Sequence, residues 1–322
     1  MKSVLITGSA GFVGTNLAEY YLKNGYFVFG LDNYITGSKE NTSYLASSYP
    51  KTFLFCEHDV SSSWQPVTSM LLDFCRDKIA PIEYVFHLAS PASVKSYQKF
   101  RLETMWANSL GLQNAISFAD TQKAKVIFSS TSEIYGSPLS SPQRESDWGN
   151  VNSFGERSCY DESKRFGETL VYSSNKVNGT QHGVVRIFNT YGPRMSKDDD
   201  RVSNTFLQSA LASKDIKVFG NGLQTRSFCF IDDLVNGLAK YAASKLNFPL
   251  NLGNDHEVSI IDFANLVIKQ TQSKSKIVFK EMPEDDPPQR KPDLQLAKMH
   301  LNYSPEISLA EGLKRTISSL HP

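Results

Sequence analysis

A glycine-rich turn near the start of the chain constrains the fold more than any other feature. It reads TGSAGFVG, and it lies between the apolar run SVLI and the amphipathic run NLAEYYLKNG. Glycines there allow a tight strand-to-helix turn and a close approach of the backbone to a pyrophosphate. The N–H groups at a helix start bind such an anion. Gly8, Gly11 and Gly14 therefore predict a dinucleotide site, although their spacing is GxxGxxG rather than GxGxxG.

An acidic residue ends the next apolar run and bears on which dinucleotide is bound. Asp32 closes YFVFGLD, where a carboxylate can accept hydrogen bonds from both hydroxyls of the adenosine ribose. Because a carboxylate there repels a 2′-phosphate, the pattern favours NAD over NADP. Asp59 and Val60 follow the run TFLFCEH and are expected to flank the adenine. The alternative is that the glycines are ordinary turn residues and that Asp32 caps a helix.

Short apolar runs alternate with longer amphipathic runs along the first part of the chain. EYVFHLAS, AKVIFSS and HGVVRIFN continue the series, and such alternation is typical of parallel strands joined by helices. Nearly continuous apolar character indicates strands covered on both faces. The sequence predicts an α/β fold, a doubly wound parallel sheet of the Rossmann type with a smaller C-terminal substrate-binding lobe. We expect the NAD-binding domain over 1–188, also receiving 226–243, and the lobe over 189–322.

A tyrosine and a lysine four residues apart form a candidate catalytic pair. Tyr160 and Lys164 lie in CYDESKR, and this spacing places both on one helix face. A phenol ordinarily has a pKa of about 10, but a nearby ammonium group and the positive nicotinamide ring both favour the phenolate. A phenolate can take a proton from a sugar hydroxyl while the same carbon gives hydride to NAD. Most such pairs are solvated surface residues, so the prediction depends on the glycine-rich turn upstream.

Three polar residues follow the run AKVIFSS. Thr131, Ser132 and Glu133 are expected at the carboxyl end of a strand, where ligands bind in open α/β sheets. A hydroxyl there can link Tyr160 to the substrate, and Glu133 can move a proton or orient a polar group. The competing interpretation is an ordinary strand end with hydroxyls bonded to turn amides. His87 ends another apolar run, and we interpret it as a buried histidine rather than a catalyst.

Arginines in the second half of the chain are candidates for binding a substrate diphosphate. A guanidinium group is always charged and pairs with phosphate through two hydrogen bonds. Taken singly, each is more often a surface ion pair worth about 1 kcal/mol or less. The acidic run 198–200 is interpreted as a solvated loop, and the histidines and cysteines lack ligand spacing, so no metal site is predicted. The candidates are Arg194, Arg201, Arg226 and Arg290.

Composition excludes several classes of function. The 322 residues include 34 Lys+Arg against 33 Asp+Glu, so no global field favours nucleic acid or an anionic membrane surface. No window approaches the roughly 18 apolar residues of a membrane span, and the start lacks the apolar region of a signal peptide. The four cysteines form no CxxC pair. We therefore expect a cytoplasmic protein with no nucleic-acid partner.

With these motifs in place, the whole chain resembles the extended short-chain dehydrogenase/reductase superfamily of NAD-dependent epimerases and dehydratases. Within it the chain is most similar to the UDP-glucuronate decarboxylases, also called UDP-xylose synthases. The resemblance rests on TGSAGFVG, LDNYITGSKEN, FHLASPAS, STSEIYG, WGNVN, RSCYDESKR, RIFNTYGPRM, QTRSF and DDPPQRKPD. It implies a homodimer that pairs through two helices of the Rossmann domain, one of which carries Tyr160 and Lys164.

The resemblance also implies roles for individual residues. The catalytic residues implied are Thr131, Ser132, Glu133, Tyr160, Lys164 and Arg290. A UDP-sugar is expected to contact Ser90, Asn189, Arg201, Arg226 and Arg290. NAD is expected to contact Gly8, Gly11, Phe12, Val13, Gly14, Asp32, Asn33, Thr36, Gly37, Asp59, Val60, Leu88, Ala89, Tyr160 and Lys164.

The implied reaction is a transient oxidation at C4 of UDP-glucuronate, loss of carbon dioxide and return of the hydride to give UDP-xylose. Two motifs depart from the decarboxylase pattern. FRLET stands in place of NPIKT, so Glu103 occupies the place of a lysine that could help hold the carboxylate, and VKSY replaces PPHY. A nucleotide-sugar 4,6-dehydratase or 4-epimerase is therefore the enzymatic alternative. The non-enzymatic alternative is an NAD-binding scaffold or redox sensor, against which the intact catalytic set argues.

Overall fold

The structure is a computed structural model that describes residues 1–75, 81–281 and 289–320. The first part of the DDPPQRKPD motif thus lies outside the described residues, and Arg290 lies inside them. The strands are β1 Ser3–Thr7, β2 Phe27–Asp32, β3 Phe53–Glu57, β4 Ile82–His87, β5 Lys125–Thr131, β6 Gly183–Ile187, β7 Thr190–Tyr191, β8 Ile216–Phe219, β9 Thr225–Ser227, β10 Cys229–Phe230, β11 Leu250–Leu252, β12 Glu257–Ser259, β13 Ile277–Lys280 and β14 Gln289–Arg290.

The helices alternate with the strands through most of the described chain. A π-helical turn at Ala107–Gly111 joins two of them, and a 3-10 turn at Ser132–Tyr135 follows β5. The α-helices are α1 Phe12–Lys23, α2 Lys39–Ser48, α3 Gln65–Cys75, α4 Val94–Lys99, α5 Arg101–Trp106, α6 Leu112–Gln122, α7 Ser158–Asn178, α8 Val202–Leu211, α9 Ile231–Ala243, α10 Ile260–Thr271, α11 Gln295–Leu301 and α12 Leu309–Leu320.

Seven of the described strands form one large sheet in the order β11-β6-β5-β4-β1-β2-β3. Every neighbouring pair in it is parallel. Alternate residues of β1 enter two different cores, with Val4 and Ile6 on one face and Leu5 on the other. Helices α1 and α9 cover the first face, and α6 and α7 cover the second. The doubly wound parallel sheet predicted from the apolar runs is confirmed, and burial on both faces explains why those runs do not alternate.

The second part of the chain builds small sheets and also returns to the large one. The described strands pair as β7 with β10, β8 with β13, and β12-β9-β14. Helix α9 packs against α1 and β6, and β11 is an edge strand of the large sheet beside β6. The limits at residue 188 and at 226–243 stay predictions. Because β11 follows α9 into the sheet, the lobe elements are interleaved with the Rossmann elements along the chain.

The strand order reverses between β1 and β4, and this reversal positions the site. Strands β2 and β3 lie on one side of β1, whereas β4, β5 and β6 lie on the other. Connections that lead to opposite sides leave a crevice at the carboxyl ends of the central strands, where open α/β sheets bind ligands. The glycine-rich turn, Asp32, Leu88 and Thr131 all lie at or just after these ends.

Candidate active site

The glycine-rich turn after β1 is packed too closely for side chains at two of its positions. Gly8 has φ +71°, and a Cβ on it would lie 2.8 Å from the backbone nitrogen of Ala89. A Cβ on Gly14 would lie 2.0 Å from the carbonyl oxygen of Gly8. Helix α1 begins after Gly11 with no side-chain cap. The turn therefore presents helix N–H groups without a competing side chain, which fits the pyrophosphate of a dinucleotide.

Asp32 at the end of β2 is held rigidly by backbone amides. Its two carboxylate oxygens accept hydrogen bonds from the N–H groups of Ala10 (3.0 Å) and Tyr34 (2.8 Å). Burial raises the pKa of Asp32, and these backbone bonds oppose the rise. Gly37 keeps the neighbouring space open, because a Cβ there would lie 2.8 Å from Asp32 Oδ1. Each oxygen retains a lone pair, so the carboxylate can also accept the ribose hydroxyls.

A small cavity of about 70 Å³ lies beside Asp32, and we call it the cofactor cavity. Asn33 donates to Asp59 across its rim at 2.9 Å. No lysine or arginine is among its described lining residues, so it disfavours an additional phosphate. Among the predicted cofactor residues, Phe12, Gly14 and Gly37 line neither this cavity nor the larger one described next. The predicted cofactor residues that line it are Gly8, Gly11, Asp32, Asn33, Thr36, Asp59, Val60, Leu88 and Ala89.

A larger cavity of about 750 Å³, the catalytic cavity, adjoins the first. Leu88 and Ser90 line both cavities, and Val13 lines the larger one. A ligand that extends from the cofactor cavity would therefore enter the catalytic cavity past these residues. The structure brings together there the catalytic and substrate residues that the family resemblance implies: Ser90, Thr131, Ser132, Glu133, Tyr160, Lys164, Asn189, Arg201, Arg226 and Arg290.

Glu103 lies in the cofactor cavity, beside Asp59, Val60 and Ala107, and it is not among the residues of the catalytic cavity. The sequence comparison placed Glu103 where a lysine could hold the sugar carboxylate, and the structure corrects this placement. Tyr160 and Lys164 line the catalytic cavity from α7, whereas Glu103 lines the cofactor cavity from the neighbouring helix α5.

Tyr160 and Lys164 occupy the same buried face of α7, as their spacing predicts. The Lys164 ammonium donates to the Ser129 carbonyl oxygen at 2.7 Å and lies 5.7 Å from the centre of the Tyr160 ring. Burial lowers the pKa of Lys164 to about 7. Burial also raises the pKa of Tyr160 to about 12, although a hydrogen bond with the Thr131 side chain lowers it. The protein's own groups thus favour the protonated phenol, although Arg201 also lowers its pKa, and a positively charged nicotinamide ring nearby would favour the phenolate further.

Two residues that were not predicted from the sequence support the Tyr160–Lys164 pair. The ring of Tyr97 stacks on that of Tyr160, with centroids 5.0 Å apart and planes 8° apart. Asn108, in the π-helical turn, donates to the side chains of Ser163 (3.0 Å) and Ser90 (3.1 Å). The π-helical turn places Asn108 against α7, and such turns are frequent at functional sites. Neither residue belongs to a motif with an obvious chemical signature.

Glu133, in the 3-10 turn that follows β5, lies between two arginine side chains. Arg290 donates to both of its carboxylate oxygens, through Nη1 to Oε1 and through Nη2 to Oε2 at 2.7 Å. Arg157 also donates to Oε2. Burial alone would raise the pKa of Glu133, but the charges of Arg290 and Arg157 outweigh it and hold the pKa below its usual value. Glu133 is therefore a carboxylate anion whose orientation is fixed.

The remaining predicted arginines divide into two groups. Arg226 on β9 is buried in the catalytic cavity, and Arg201 enters it while pairing with Asp199 at 2.6 Å. Arg194 is a wrong prediction for a phosphate ligand, because its guanidinium group pairs with Glu19 and stacks 3.7 Å from the centre of the Tyr44 ring, outside both cavities.

The acidic run 198–200 is more than the solvated loop expected from the sequence. Asp199 holds Arg201, and Asp200 accepts a hydrogen bond from the backbone N–H of Lys95 at 2.9 Å. These contacts fasten the loop across the start of α4 and orient Arg201 into the catalytic cavity.

His87 is a buried structural residue, as interpreted from the sequence. Its ring nitrogens contact Thr7 Oγ1 (3.2 Å) and the Ala107 carbonyl oxygen (2.9 Å), and burial lowers its pKa to about 3. A neutral histidine between β1 and the π-helical turn ties these elements together. Among the described residues, no group of three or more acidic, cysteine or histidine side chains could hold a metal ion.

Comparison with known proteins now identifies the class. Residues 4–253 match the model of the NAD dependent epimerase/dehydratase family. The chain belongs to that family, and its cofactor is NAD. The glycine-rich turn and the amide-held carboxylate of Asp32 fit this cofactor.

Particular relatives are more specific. The chain is 40% identical over 316 residues to UDP-glucuronic acid decarboxylase 1 of Xenopus tropicalis, covering 98% of this chain and 71% of the relative. It is 41% identical over 315 residues to UDP-glucuronic acid decarboxylase 1 of Arabidopsis thaliana, covering 98% and 69%. Among solved structures, UDP-glucuronic acid 4-epimerase from Bacillus cereus, in complex with UDP-glucuronic acid and NAD, is similar with a TM-score of 0.84 and 28% identity over 99% of each chain.

Proposed function

We propose that this protein decarboxylates UDP-glucuronate to UDP-xylose, with bound NAD as a recycled catalyst. The observation that carries the proposal is the placement of Tyr160 and Lys164 in one cavity with a carboxylate that two arginines hold as an anion. The relatives at about 40% identity named UDP-glucuronic acid decarboxylase support the choice of substrate.

The charges that line the catalytic cavity suit an anionic sugar nucleotide. Besides Lys164, six basic residues line it against three acidic ones. A diphosphate and a glucuronate carboxylate together carry three negative charges, which such a cavity attracts and orients. The basic residues are Arg157, Arg201, Lys214, Lys217, Arg226 and Arg290, and the acidic ones are Glu133, Asp200 and Asp215.

The residues of the cavity support a short mechanism. Tyr160, linked to Thr131 by a hydrogen bond, takes the proton of the C4 hydroxyl group, and Lys164 stabilises the negative charge near the phenol. Bound NAD supplies a reversible hydride acceptor at C4. The resulting C4 carbonyl is β to the C5 carboxylate, so the bond to the carboxyl carbon breaks and its electrons form an enolate. A proton then adds to C5, and Tyr160 returns its proton as C4 is reduced.

The state of Glu133 favours decarboxylation over dehydration. A 4,6-dehydratase must remove the C5 proton with a base and protonate the departing C6 hydroxyl. Both oxygens of Glu133 are bonded to arginines and its pKa is lowered, so Glu133 is a weak base and a poor proton donor. Decarboxylation breaks a carbon–carbon bond at C5 and needs no base there. Glu103 lines the cofactor cavity and is not among the residues of the catalytic cavity, which also supports a glucuronate substrate.

The decisive experiment is a mass-spectrometric screen of nucleotide sugars with the purified protein and NAD. We expect UDP-glucuronate to lose the mass of carbon dioxide and to yield UDP-xylose. Loss of the mass of water from a neutral nucleotide hexose would establish the dehydratase instead, and an isomer of unchanged mass would establish the 4-epimerase. No turnover of any sugar nucleotide would leave the NAD-binding scaffold or redox sensor as the function.

We also propose that the protein is a homodimer. Helices α5 and α7 pack side by side and present exposed apolar side chains. Positions 102, 106 and 110 recur at the spacing of a single helix face. Isolated apolar residues are ordinary on a surface, but a stripe across two adjacent helices suits an isologous pairing with a second copy. The exposed residues are Leu102, Met105, Trp106, Leu110, Phe166 and Tyr172.

A cytoplasmic location is proposed for the protein. The support is that Cys56, Cys159 and Cys229 are free thiols, two of them buried, as expected in a reducing compartment. Within the described residues, the helices are all too short or too polar to cross a membrane. Fractionation of cells that express the tagged full chain tests the location.

A further inference from the structure

Four charged side chains form a continuous chain of alternating sign at one wall of the catalytic cavity. Arg290 and Arg157 both donate to Glu133, and the Nε of Arg157 lies 3.8 Å from Oδ2 of Asp161, one helical turn further along. The order is therefore Arg290, Glu133, Arg157, Asp161. The mechanism above uses the first three and assigns nothing to Asp161, although it immediately follows Tyr160.

Asp161 lies in an environment that disfavours a negative charge. Only 6% of the residue is exposed, and its Oδ1 has no hydrogen-bond partner among the described residues. Its contact with Arg157 is longer than a hydrogen bond. A buried carboxylate with one oxygen unpartnered is costly, whereas the neutral carboxylic acid is much less so. The geometry therefore favours a proton on this side chain.

The groups around Asp161 make its ionisation sensitive to nearby charges near neutral pH. Burial, together with the charge of Glu133, raises the pKa of Asp161 to about 7, although Arg157 and Arg290 oppose the rise. The other titratable groups that face it are Glu162, Tyr160 and Cys159 on α7 and Tyr97 on α4. A new charge placed in this part of the cavity will therefore change how strongly Asp161 holds its proton.

The protonation of Asp161 decides the net charge of the four-residue chain. With Asp161 neutral, two guanidinium groups face one carboxylate, and one positive charge is in surplus. With Asp161 ionised, the surplus is cancelled. Resting on the proposed substrate, we propose that Asp161 is a positioning residue whose retained proton leaves the charge of Arg157 available to the carboxylate of the bound sugar, so that a glucuronate is recognised and a neutral glucose is not.

This role has a thermodynamic signature. An anionic sugar disfavours a second negative charge on Asp161 and raises its affinity for a proton. Binding of a glucuronate above neutral pH must then be accompanied by proton uptake, and the affinity must fall as the pH rises. A neutral hexose in the same cavity produces neither effect through Asp161, because it does not distinguish the two charge states of that residue.

The experiment is isothermal titration calorimetry of the protein with its NAD. The ligands are the 4-deoxy-4-fluoro analogues of UDP-glucuronate and UDP-glucose, which lack the C4 hydroxyl and cannot be oxidised. Measurements at about pH 6 and about pH 8, in buffers of different ionisation enthalpy, give affinity and proton uptake. For the glucuronate analogue we expect affinity to fall about tenfold and proton uptake to appear at the higher pH. For the glucose analogue, which carries the same diphosphate, we expect only a smaller change, because Lys164, whose pKa burial lowers to about 7, titrates in the same range.

Matched variants assign the effect to a residue. Asp161→Asn keeps the shape of the side chain without a titrating charge, so the excess pH dependence and proton uptake of the glucuronate analogue over the glucose analogue should disappear. The share due to Lys164, whose pKa burial lowers to about 7, should remain with both ligands. Glu162→Gln, next to it on α7 and half exposed, should retain the pH dependence. A structural role alone would change affinity equally at both pH values. Proton uptake by the unaltered protein is measured independently of whether the Asn variant folds.

Three results would overturn the inference: affinity for the glucuronate analogue that does not depend on pH, equal pH dependence for both ligands, or a difference in pH dependence between the two ligands that persists in Asp161→Asn. Failure of the proposed substrate would look different. In that case the glucuronate analogue would not bind at either pH, whatever the affinity for the glucose analogue. That result would contradict the proposed substrate, on which the role of Asp161 rests.

Discussion

Arg290 donates hydrogen bonds to both carboxylate oxygens of Glu133, which lies 157 positions earlier in the chain. This contact joins the end of β5 in the large sheet to β14 in a small sheet of the second part. It lowers the pKa of Glu133 together with Arg157 and closes one wall of the catalytic cavity. The Arg290–Glu133 ion pair thus helps to set both the ionisation of Glu133 and the shape of the sugar site.

Replacement of Arg290 by methionine should leave Glu133 partly buried with one partner fewer. We expect Arg290→Met to lower kcat/KM more than a hundredfold. In a double-mutant cycle with Glu133→Gln, the free energies of unfolding should show a coupling of about 1–3 kcal/mol. Lys291→Met is the control, since that side chain pairs with Glu257. Simple additivity in the cycle would contradict the coupling.

Removal of the Tyr160 hydroxyl group should separate cofactor binding from chemistry. Tyr160→Phe keeps the ring that stacks on Tyr97, so NAD should bind unchanged, while turnover of UDP-glucuronate should fall by roughly 10²–10⁴-fold through loss of the base. Binding is measured by fluorescence and turnover by chromatography. Tyr172→Phe, exposed on the same helix, should have the activity of the unaltered protein. Unchanged turnover in Tyr160→Phe would remove this residue from the mechanism.

Lys164 should make the protein less stable at neutral pH than it would be without the ammonium group. Burial lowers its pKa to about 7 in the folded chain, against about 10.4 in the unfolded chain. The unfolded state therefore binds the proton more tightly between these values, so the destabilisation is complete below about pH 7 and disappears as the pH rises towards 10.

Lys164→Met should accordingly raise the free energy of unfolding by about 1–3 kcal/mol near pH 7, after the lost bond to the Ser129 carbonyl is subtracted. The gain should shrink at about pH 9.5, and activity should be lost at both. Urea unfolding measures this, with Lys176→Met on the exposed side of α7 as control. A gain that did not depend on pH would show that packing, rather than charge, is responsible.

The choice between NAD and NADP should respond to Asp32. Asp32→Asn removes the charge that repels a 2′-phosphate, and its single amide oxygen can keep only one of the two hydrogen bonds from Ala10 and Tyr34. We expect the affinity for NAD to fall about tenfold or less and the ratio of NAD to NADP affinity to fall further. Equilibrium binding measures both, and Glu57→Gln at the end of β3 is the control. An unchanged ratio would mean that other groups exclude the phosphate.

The proposed dimer should depend on the apolar stripe of α5 and α7. Trp106 is 45% exposed, and Trp106→Glu would place a charge at the centre of the stripe. We expect light scattering to give a dimer for the unaltered protein and a monomer for this variant. Leu139→Glu changes an equally apolar but separate exposed residue and should leave the dimer intact. A monomeric unaltered protein would contradict the proposal.

The elements that sequence reasoning predicted are those with local chemical signatures. The apolar runs, the glycine-rich turn and the spacing of Tyr160 and Lys164 each depend on neighbours within a few residues, and local geometry largely decides them. Most of the predicted site residues line two adjoining cavities, because carboxyl ends of parallel strands meet at one edge of the sheet.

The features that were missed depend on contacts between distant segments. Arg157 precedes a helix like many surface arginines, and only the approach of the 3-10 turn brings it to Glu133. Arg194 and Arg201 are alike in sequence, yet one meets Glu19 on α1 and the other enters the cavity. Glu103 was predicted near the sugar carboxylate because comparing motifs gives the position of a residue in the chain. Such a comparison does not show which cavity the residue lines.

The chain returns to the large sheet at β11, and Arg290, further along the chain, then binds Glu133. This order has a consequence for biosynthesis. A nascent chain emerging from the ribosome can complete the first six strands and fold the glycine-rich turn long before Arg290 has been translated. During that interval the carboxylate of Glu133 has only Arg157 to orient it, and the sugar site lacks a wall. A fragment ending at residue 253, where the family match ends, would thus contain the glycine-rich turn and Asp32 without Arg290, so the complete wall of the catalytic cavity forms only after residue 290 has been added.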